Sequence, residues 1–161
     1  MHGRWNCSNM FEVKQVNPVQ SEVINLIQQL DKYQESMYPP ESNHLDPLVE
    51  LSKTNVVFLA TYIDSEICGI GCVKMFDDYG ELKRLFVTRK HRGKGLAKAL
   101  IKELENHLAI NRIMVARLET GIHQREAIGL YKMLGYSEIA PFGDYTEDPL
   151  SVFMERKLGP T

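Results

Sequence analysis

The chain has 161 residues, of which 43% are hydrophobic and 25% are charged. This balance is typical of a folded globular domain and excludes intrinsic disorder, collagen and coiled coil as descriptions of the whole chain. The 19 lysines and arginines and the 21 aspartates and glutamates give a formal net charge of −2, so the chain lacks the basic excess that a dedicated nucleic-acid binder needs.

The start of the chain shows no hydrophobic periodicity, and we expect residues 1–10 to form a loose leader before a single domain over residues 11–161. No apolar run approaches the roughly 18 residues of a membrane span, so no membrane partner is expected. Cys68 and Cys72 lie in a predicted strand at a separation of about 13 Å, which is too far for a disulfide. We expect both to be small buried residues, which suits a reducing cytoplasm.

The first half of the chain reads as two helices followed by three strands. Asn17 and Pro18, as cap and first residue, predict a helix that runs to Met37 and ends at the prolines that follow. A short second helix is predicted over residues 46–52. Runs rich in β-branched residues, separated by turn residues, then predict three antiparallel strands over 56–62, 67–75 and 81–87.

The second half alternates helices with strands. Leucines at every fourth position, 96, 100, 104 and 108, predict a strongly amphipathic helix over 95–108. A strand over 113–118, a helix over 124–134 and strands over 136–139 and 150–158 follow. A strand–helix–strand unit needs a crossover, so at least one strand pair is parallel. The expected fold class is a mixed α+β sheet with helices on both faces.

The turn before the third predicted helix is rich in arginine, lysine and glycine. Gly93 and Gly95 let the backbone approach a ligand closely, and the helix start after them offers unpaired N–H groups and the positive end of its dipole. Arg92 and Lys94 add positive charge. The segment therefore predicts a pyrophosphate site, and the alternative is a basic helix-start turn that binds nothing. It matches neither the P-loop nor the dinucleotide-binding pattern.

Two motifs together resemble those of the GNAT-type N-acetyltransferases. Arg92-Gly93-Lys94-Gly95-Leu96-Ala97 resembles the R/Q-x-x-G-x-G/A signature of that superfamily, which also follows a strand and opens a helix. Gln124, Ala127, Tyr131 and Gly135-Tyr136 resemble the N-x-x-A-x-x-x-Y-x-x-x-G-F segment, with Gln in place of Asn and Tyr in place of Phe. The element order also agrees with the family's over residues 11–158.

The resemblance implies a GNAT-like fold and acetyl-CoA as the donor. The fold would be a mostly antiparallel sheet of six to seven strands with a splay between the family's fourth and fifth strands, here Glu81–Val87 and Ile113–Leu118. The pantetheine would pair with Leu85, Phe86 and Val87. The remaining cofactor contacts that the resemblance implies are Arg92, Gly93, Lys94, Gly95, Leu96, Ala97 and Gln124.

Tyr131 is the candidate general acid. Acyl transfer from a thioester produces a thiolate leaving group, which a positioned phenol can protonate, and the family commonly has its acid at this position. The alternative is a core tyrosine on the apolar face that holds Ala127, Ile128 and Leu134.

Two carboxylates are alternative candidates for the base that takes a proton from the attacking amine. Glu81 begins the family's fourth strand and is expected on the same side as Lys83, Leu85 and Val87. Glu119 ends the fifth strand near the expected cleft. The sequence leaves this choice open.

Other polar residues have more general interpretations. Lys83 and Arg84 either bind a substrate carboxylate or extend to solvent at the sheet edge. His44 and His91 are predicted to be surface loop residues, and the scattered histidines predict no metal site.

The sequence thus predicts a cytoplasmic N-acetyltransferase in which a primary amine, expected to be that of a small molecule, attacks acetyl-CoA directly. The alternatives are a non-catalytic acyl-CoA sensor and an acetyltransferase of a protein amine. A tyrosine and a carboxylate near one cleft favour the enzyme. Whether the protein forms a homodimer is left open.

Overall fold

The strands form one sheet in the computed structural model, which describes residues 4–6 and 11–159. In chain order they are β1 Arg4–Asn6, β2 Phe11–Gln15, β3 Val56–Ile63, β4 Glu66–Met75, β5 Gly80–Val87, β6 Val115–Gly121, β7 Ser137–Ile139 and β8 Ser151–Lys157. Their order across the sheet is β1-β2-β3-β4-β5-β6-β8-β7. The pairing of β5 with β6 is parallel, and every other neighbouring pair is antiparallel.

The helices cover both faces of this sheet, as predicted. They are α1 Ser21–Met37, α2 Leu48–Leu51, α3 Leu96–Ile110 and α4 Arg125–Met133. Val23, Leu26 and Leu51 pack α1 and α2 on one face against Phe58 and Ile70. The apolar stripe of α3 packs on the other face with the buried side of α4. Each fully buried leucine contributes roughly 1.5–3 kcal/mol to this packing.

The mixed sheet with helices on both faces confirms the predicted fold class, and two details differ. The sheet has eight strands rather than six to seven, because Arg4–Asn6, within the expected leader, pairs with β2; the rest of residues 1–10 lies outside the described part of the chain. The first helix begins at Ser21, because Asn17 forms a turn closed by the N–H of Gln20 at 3.1 Å.

The predicted splay lies between β5 and β6. The two strands pair at Gly80 with Ala116, Glu81 with Arg117 and Leu82 with Leu118, and no pairing continues beyond Leu82. The rest of β5 therefore has a free backbone edge on the β6 side, which is the arrangement that the family resemblance implies.

A β-bulge in β5 lies where the two strands separate. Arg84 and Leu85 stand opposite the single residue Gly71 of β4, and Arg84 has a left-handed backbone with φ of 55°. The extra residue shifts the alternation of the strand. Leu82, Leu85 and Val87 consequently face α3.

Glu81 and Lys83 point to the opposite face, towards Asp46 and Tyr145. The expectation that Glu81 shares a face with Leu85 and Val87 is therefore wrong. It assumed an unbroken strand, whereas the bulge reverses the direction of the side chains that follow it. Among the described residues, no helix is long and apolar enough to cross a membrane.

Two glycines provide a matched test of this packing. A Cβ at buried Gly80 would overlap the side chain of Leu108 in α3, whereas a Cβ at Gly129 in α4 meets no atom within 4 Å. We expect Gly80→Ala to lower the free energy of unfolding by about 1–3 kcal/mol through overpacking. Gly129→Ala should raise it by about 0.5–1 kcal/mol, because alanine loses less backbone entropy in a helix. Urea denaturation measures both, and equal effects of the two substitutions would contradict the packing of α3 on β5.

Candidate active site

A pocket opens at the splay and brings the predicted catalytic residues together. Glu81 and Glu119 line it from β5 and β6, and Tyr131 lines it from α4 on the other face of the sheet. The end of α1, the segment 42–45 and Tyr145 form the remaining walls. The gap between the strands is therefore the place where groups from both faces of the sheet can meet one ligand.

Glu81 is held by two partners on its own face. The hydroxyl of Tyr145 donates a hydrogen bond of 2.6 Å to Oε2 of Glu81, and Nζ of Lys83 lies 3.3 Å from the same oxygen. The Glu81 residue is 5% exposed. Burial and the charge of Glu81 raise the pKa of Tyr145, so the phenol remains a proton donor in this contact.

Lys83 and Arg84 are both paired within the protein. Nζ of Lys83 lies 3.1 Å from Oδ2 of Asp46. Burial favours the neutral form of Lys83, but Glu81 and Asp46 outweigh it, and the pKa of the ammonium is raised.

The guanidinium of Arg84 donates a 2.6 Å hydrogen bond to the carbonyl of Asp46 and forms an ion pair of 2.9 Å with Asp31 of α1. The N–H of Arg84 Nε is not aligned with Asp31, so this second contact is an ion pair rather than a hydrogen bond. Neither Lys83 nor Arg84 extends to solvent, which corrects that interpretation. Both line the pocket, and the alternative that they bind a substrate carboxylate stays a prediction.

Glu119 has a different environment from Glu81. Its carboxylate accepts a 2.8 Å hydrogen bond from the hydroxyl of Ser151, a neutral partner. Burial raises the pKa of Glu119, the charge of Glu81 adds to this effect, and Ser151 and His44 partly offset it. A carboxylate with a raised pKa in a pocket is a stronger base than an ordinary glutamate.

Tyr131 is buried within the core of α3 and α4 and also lines the pocket. Its ring contacts Tyr136 edge to face, with ring centroids 5.8 Å apart. Burial raises the pKa of Tyr131, and the negative charge of Glu119 raises it further. The hydroxyl therefore stays protonated at neutral pH, as a general acid requires, and the residue has structural contacts as well.

Gln124 closes the loop between β6 and α4. Its side-chain oxygen accepts hydrogen bonds from the N–H of Gly121 at 2.9 Å and from the hydroxyl of Thr120 at 3.3 Å. Tyr38, at the end of α1, packs where Gly121 has no side chain, and its hydroxyl accepts a 3.3 Å hydrogen bond from the N–H of His123. The predicted contact of Gln124 with the cofactor stays a prediction.

The predicted cofactor turn lies beyond the pocket, between β5 and α3. Gly93 and Gly95 both have φ of 80°, and a Cβ at Gly93 meets no atom within 4 Å, so the turn is open. Nε of Arg92 donates a 3.0 Å hydrogen bond to the carbonyl of Val87, which shows that Val87 turns its backbone away from β4.

These features fit a slender ligand along β5 that ends in an anion at the turn. The side chain of Leu96 is buried in the core, so this residue can offer only its backbone N–H. Ala97 is partly exposed in the first turn of α3, and Lys94 is exposed in the turn itself.

Sequence reasoning missed several residues of the site. Tyr145 and Ser151 contact the two glutamates and Asp46 contacts Lys83, but each comes from a loop or a strand start far away in the chain. No periodicity marks such positions. His91 is also not a surface residue: it is 5% exposed, and its Nδ1 lies 2.8 Å from the hydroxyl of Thr88.

Comparison with known proteins agrees with this geometry. The Acetyltransferase (GNAT) family matches residues 23–136. An "IAA acetyltransferase" of Azospirillum brasilense is 38% identical over 144 residues, covering 88% of this chain and 94% of that protein. An uncharacterized N-acetyltransferase of Bacillus subtilis is 32% identical over 140 residues, covering 85% of this chain and 93% of that protein.

Solved structures show the same fold. A Klebsiella pneumoniae protein, provisionally named an acyl-CoA N-acyltransferase, has a TM-score of 0.80 and 35% identity, covering 94% of this chain and 99% of that one. A Thermoplasma acidophilum N-acetyltransferase crystallised with coenzyme A has a TM-score of 0.72 and 20% identity, covering 91% of this chain and 98% of that one.

The bulge at Arg84 gives a prediction that separates side-chain pairing from backbone strain. Arg84→Ala removes the guanidinium that contacts Asp31 and Asp46, but alanine still has a Cβ and must adopt the strained left-handed backbone. We expect this variant to lose about 2–4 kcal/mol in the free energy of unfolding. Arg84→Gly removes the same group but adopts this backbone without strain, so it should be about 1 kcal/mol more stable than Arg84→Ala. Urea denaturation checks both, with exposed Arg89→Ala as the control; equal stability of the two Arg84 variants would contradict the strained bulge.

Proposed function

This chain belongs to the GNAT family of acetyltransferases, and from that membership we propose that it transfers an acetyl group from acetyl-CoA to the primary amine of a small molecule. The observation that carries the proposal is the pocket at the splay, where Glu81, Glu119 and Tyr131 meet beside a strand with a free backbone edge.

The residues of β5 and the turn after it fit the donor. The N–H and carbonyl of Val87 lie on the open side of β5, where a pantetheine amide can pair with them as another strand would. The open turn at Gly93 and Gly95 and the first N–H groups of α3 suit the pyrophosphate. The Thermoplasma acidophilum neighbour holds coenzyme A in the same fold. When bound, acetyl-CoA supplies an acetyl thioester that a neutral amine can attack.

We assign the base to Glu119 rather than to Glu81. Glu81 shares its oxygen with the ammonium of Lys83 and the hydroxyl of Tyr145, which reduces its ability to accept a proton. Glu119 has a neutral partner and a raised pKa, so it can take the proton of the incoming ammonium group. Because Glu119 must be ionised to act, activity should fall as the pH drops through this raised pKa.

Tyr131 is the general acid in this mechanism. The amine nitrogen bonds to the carbonyl carbon, the carbon–sulfur bond breaks, and the hydroxyl of Tyr131 gives its proton to the departing sulfur. The nitrogen loses its second proton as the amide forms, and that proton restores the hydroxyl of Tyr131. A backbone N–H on the free edge of β5, near Phe86 or Val87, donates to the carbonyl oxygen of the thioester as charge develops on it.

The two cysteines in the described part of the chain support direct transfer rather than a covalent acyl-enzyme. Cys72 is buried, and burial raises the pKa of its thiol to about 12, so little thiolate is present at neutral pH. Burial also raises the pKa of Cys68. Two buried thiols further support the expectation of a reducing, cytoplasmic setting.

Substitution in the turn tests the cofactor site. Gly95→Val places a branched side chain where the pyrophosphate would lie, and we expect affinity for CoA to fall about tenfold or more. Gly135→Val is the matched control, because Gly135 also has a positive φ, of 99°, but closes α4 away from the turn. Calorimetric titration measures binding, and thermal melts measure stability. Equal CoA affinity of the two variants would overturn the pyrophosphate site.

Removal of one hydroxyl tests the general acid and separates the enzyme from a non-catalytic sensor. Tyr131→Phe keeps the packing against Tyr136, so stability and the KM for acetyl-CoA should change little, and kcat should fall about 10²-fold or more. Because the pKa of Tyr131 is raised, the wild type should lose activity only above the ordinary tyrosine value of about 10, and the variant should lack this limb. A near-wild-type kcat with the same alkaline limb would make Tyr131 a core residue only. A wild type that binds CoA but releases no free CoA with any amine would be the sensor.

A further inference from the structure

Tyr38 is a large side chain of the pocket wall that the mechanism above does not use. It directly follows α1, and Leu30, Gln34 and Tyr38, at every fourth position, line the pocket from one face of this helix. The residue is 5% exposed, so nearly all of its ring is in contact with other residues. The position of the ring therefore helps to set how much of the pocket a ligand can occupy.

The backbone of Tyr38 is held from both sides. Its N–H donates a 3.0 Å hydrogen bond to the carbonyl of Gln34. Pro39, the next residue, restricts Tyr38 to an extended conformation, and its φ of −129° and ψ of 142° agree with this. The direction in which the side chain leaves the end of α1 is therefore set by the chain itself.

The far end of the Tyr38 ring is held by the segment 121–124. The ring stacks on that of His123, with centroids 5.8 Å apart and planes inclined by 23°, and its hydroxyl accepts a 3.3 Å hydrogen bond from the N–H of His123. A Cβ at Gly121 would overlap the hydroxyl end of the ring. The φ of Gly121 lies outside the left-handed region, so the ring of Tyr38 is the reason why a side chain does not fit at this position.

Tyr38 stands beside the proposed base. Glu119 precedes Gly121 by two residues in β6, so both face the same side of the sheet, and Glu119 and Tyr38 both line the pocket. Burial raises the pKa of Tyr38, the hydrogen bond from the N–H of His123 partly offsets this, and the charge of Glu119 adds to the rise. The phenol is therefore neutral at neutral pH and contributes shape rather than charge. An amine whose nitrogen reaches Glu119 has to carry its substituents past this ring.

We propose that Tyr38, held against Gly121, determines which acceptors the enzyme takes by limiting the width of the acceptor close to its amine. An unbranched amine passes the ring and reaches Glu119, whereas branches near the nitrogen meet the ring. Tyr38 is thus a specificity-determining residue rather than a catalytic residue. The inference rests on the proposed acetyltransferase function and deepens it, because it assigns the shape of the acceptor.

Three isomeric amines test the proposal: pentylamine, 2-methylbutylamine and 2,2-dimethylpropylamine. They have the same composition and the same charge, and they become wider close to the nitrogen in this order. With the wild-type enzyme and acetyl-CoA, free CoA release should give a kcat/KM that falls in the same order, by about tenfold or more between the first and the last. Equal values, or a preference for the widest amine, would overturn the proposal and leave the acetyltransferase function intact.

Two substitutions should move the width limit in opposite directions. Tyr38→Ala removes the ring, so the ratio of kcat/KM between pentylamine and 2,2-dimethylpropylamine should fall towards one. Gly121→Ala places a Cβ against the ring and pushes it towards the pocket, so the same ratio should rise above the wild-type value. In the double variant the new Cβ has no ring to push, and the ratio should equal that of Tyr38→Ala. A double variant with the ratio of Gly121→Ala would overturn the proposal.

Three control variants separate the shape of the ring from other effects. Tyr38→Phe keeps the ring and should keep the wild-type ratio. Tyr33→Ala removes a half-exposed tyrosine of the same helix, and Gly129→Ala adds a Cβ that meets no atom within 4 Å, so both should also keep it. If Tyr38→Ala melts below the assay temperature, Tyr38→Leu, whose side chain is shorter, takes its place. A wild-type ratio in both the shortened Tyr38 variant and Gly121→Ala would make Tyr38 a structural residue only.

Binding distinguishes failure of this proposal from failure of the proposed function. Calorimetry with the wild-type enzyme saturated with CoA should show pentylamine binding about tenfold more tightly than 2,2-dimethylpropylamine. If no free CoA is released with any of the amines, the acetyltransferase reaction with them is contradicted, and this binding difference still supports the width limit. Equal binding in that case, or no binding of pentylamine, would overturn the width limit.

Discussion

The site depends on one extra residue in β5. Arg84 adopts a left-handed backbone opposite Gly71, and this bulge reverses the alternation of the strand at the point where β5 leaves β6. Before it, Glu81 and Lys83 face the pocket; after it, Val87 faces the core of α3 and turns its backbone to the open edge. In a regular strand the side chains of Glu81, Lys83 and Val87 would all lie on one face of the sheet.

The side chain of Arg84 also stabilises the conformation that its backbone creates. It ties Asp31 of α1 and the carbonyl of Asp46 to the bulge, and Lys83, the residue before it, holds the carboxylate of Asp46. Two neighbouring cations thus fix one helix and one loop against the strand. The wall of the acceptor pocket and the edge that faces the donor are parts of the same local structure.

Sequence periodicity predicted the elements well because helices and strands are set by residues close together in the chain. The order of elements, the faces of α3 and the glycine turn follow from such local patterns. The bulge does not follow from a local pattern, because the left-handed backbone of Arg84 depends on its pairing with β4 and on Asp31. Nothing in the arginine side chain favours that conformation. Likewise, the partner of Glu81 is 64 residues away, at Tyr145. The polar side chains were therefore identified as candidates, whereas their pairing was not.

The free edge of β5 has a further consequence. Unpaired strand edges can bind a strand of another chain, which is a common route to aggregation. Here the edge lies inside the sheet, with β6 diverging from it, and Arg92 covers the carbonyl of Val87 with a charged side chain. The guanidinium of Arg92 at this place disfavours the pairing of a second polypeptide strand. An anionic ligand, in contrast, can attract the guanidinium away from the carbonyl of Val87. The same arginine can therefore protect the protein against self-association while the cleft is empty and give way when the cleft is filled.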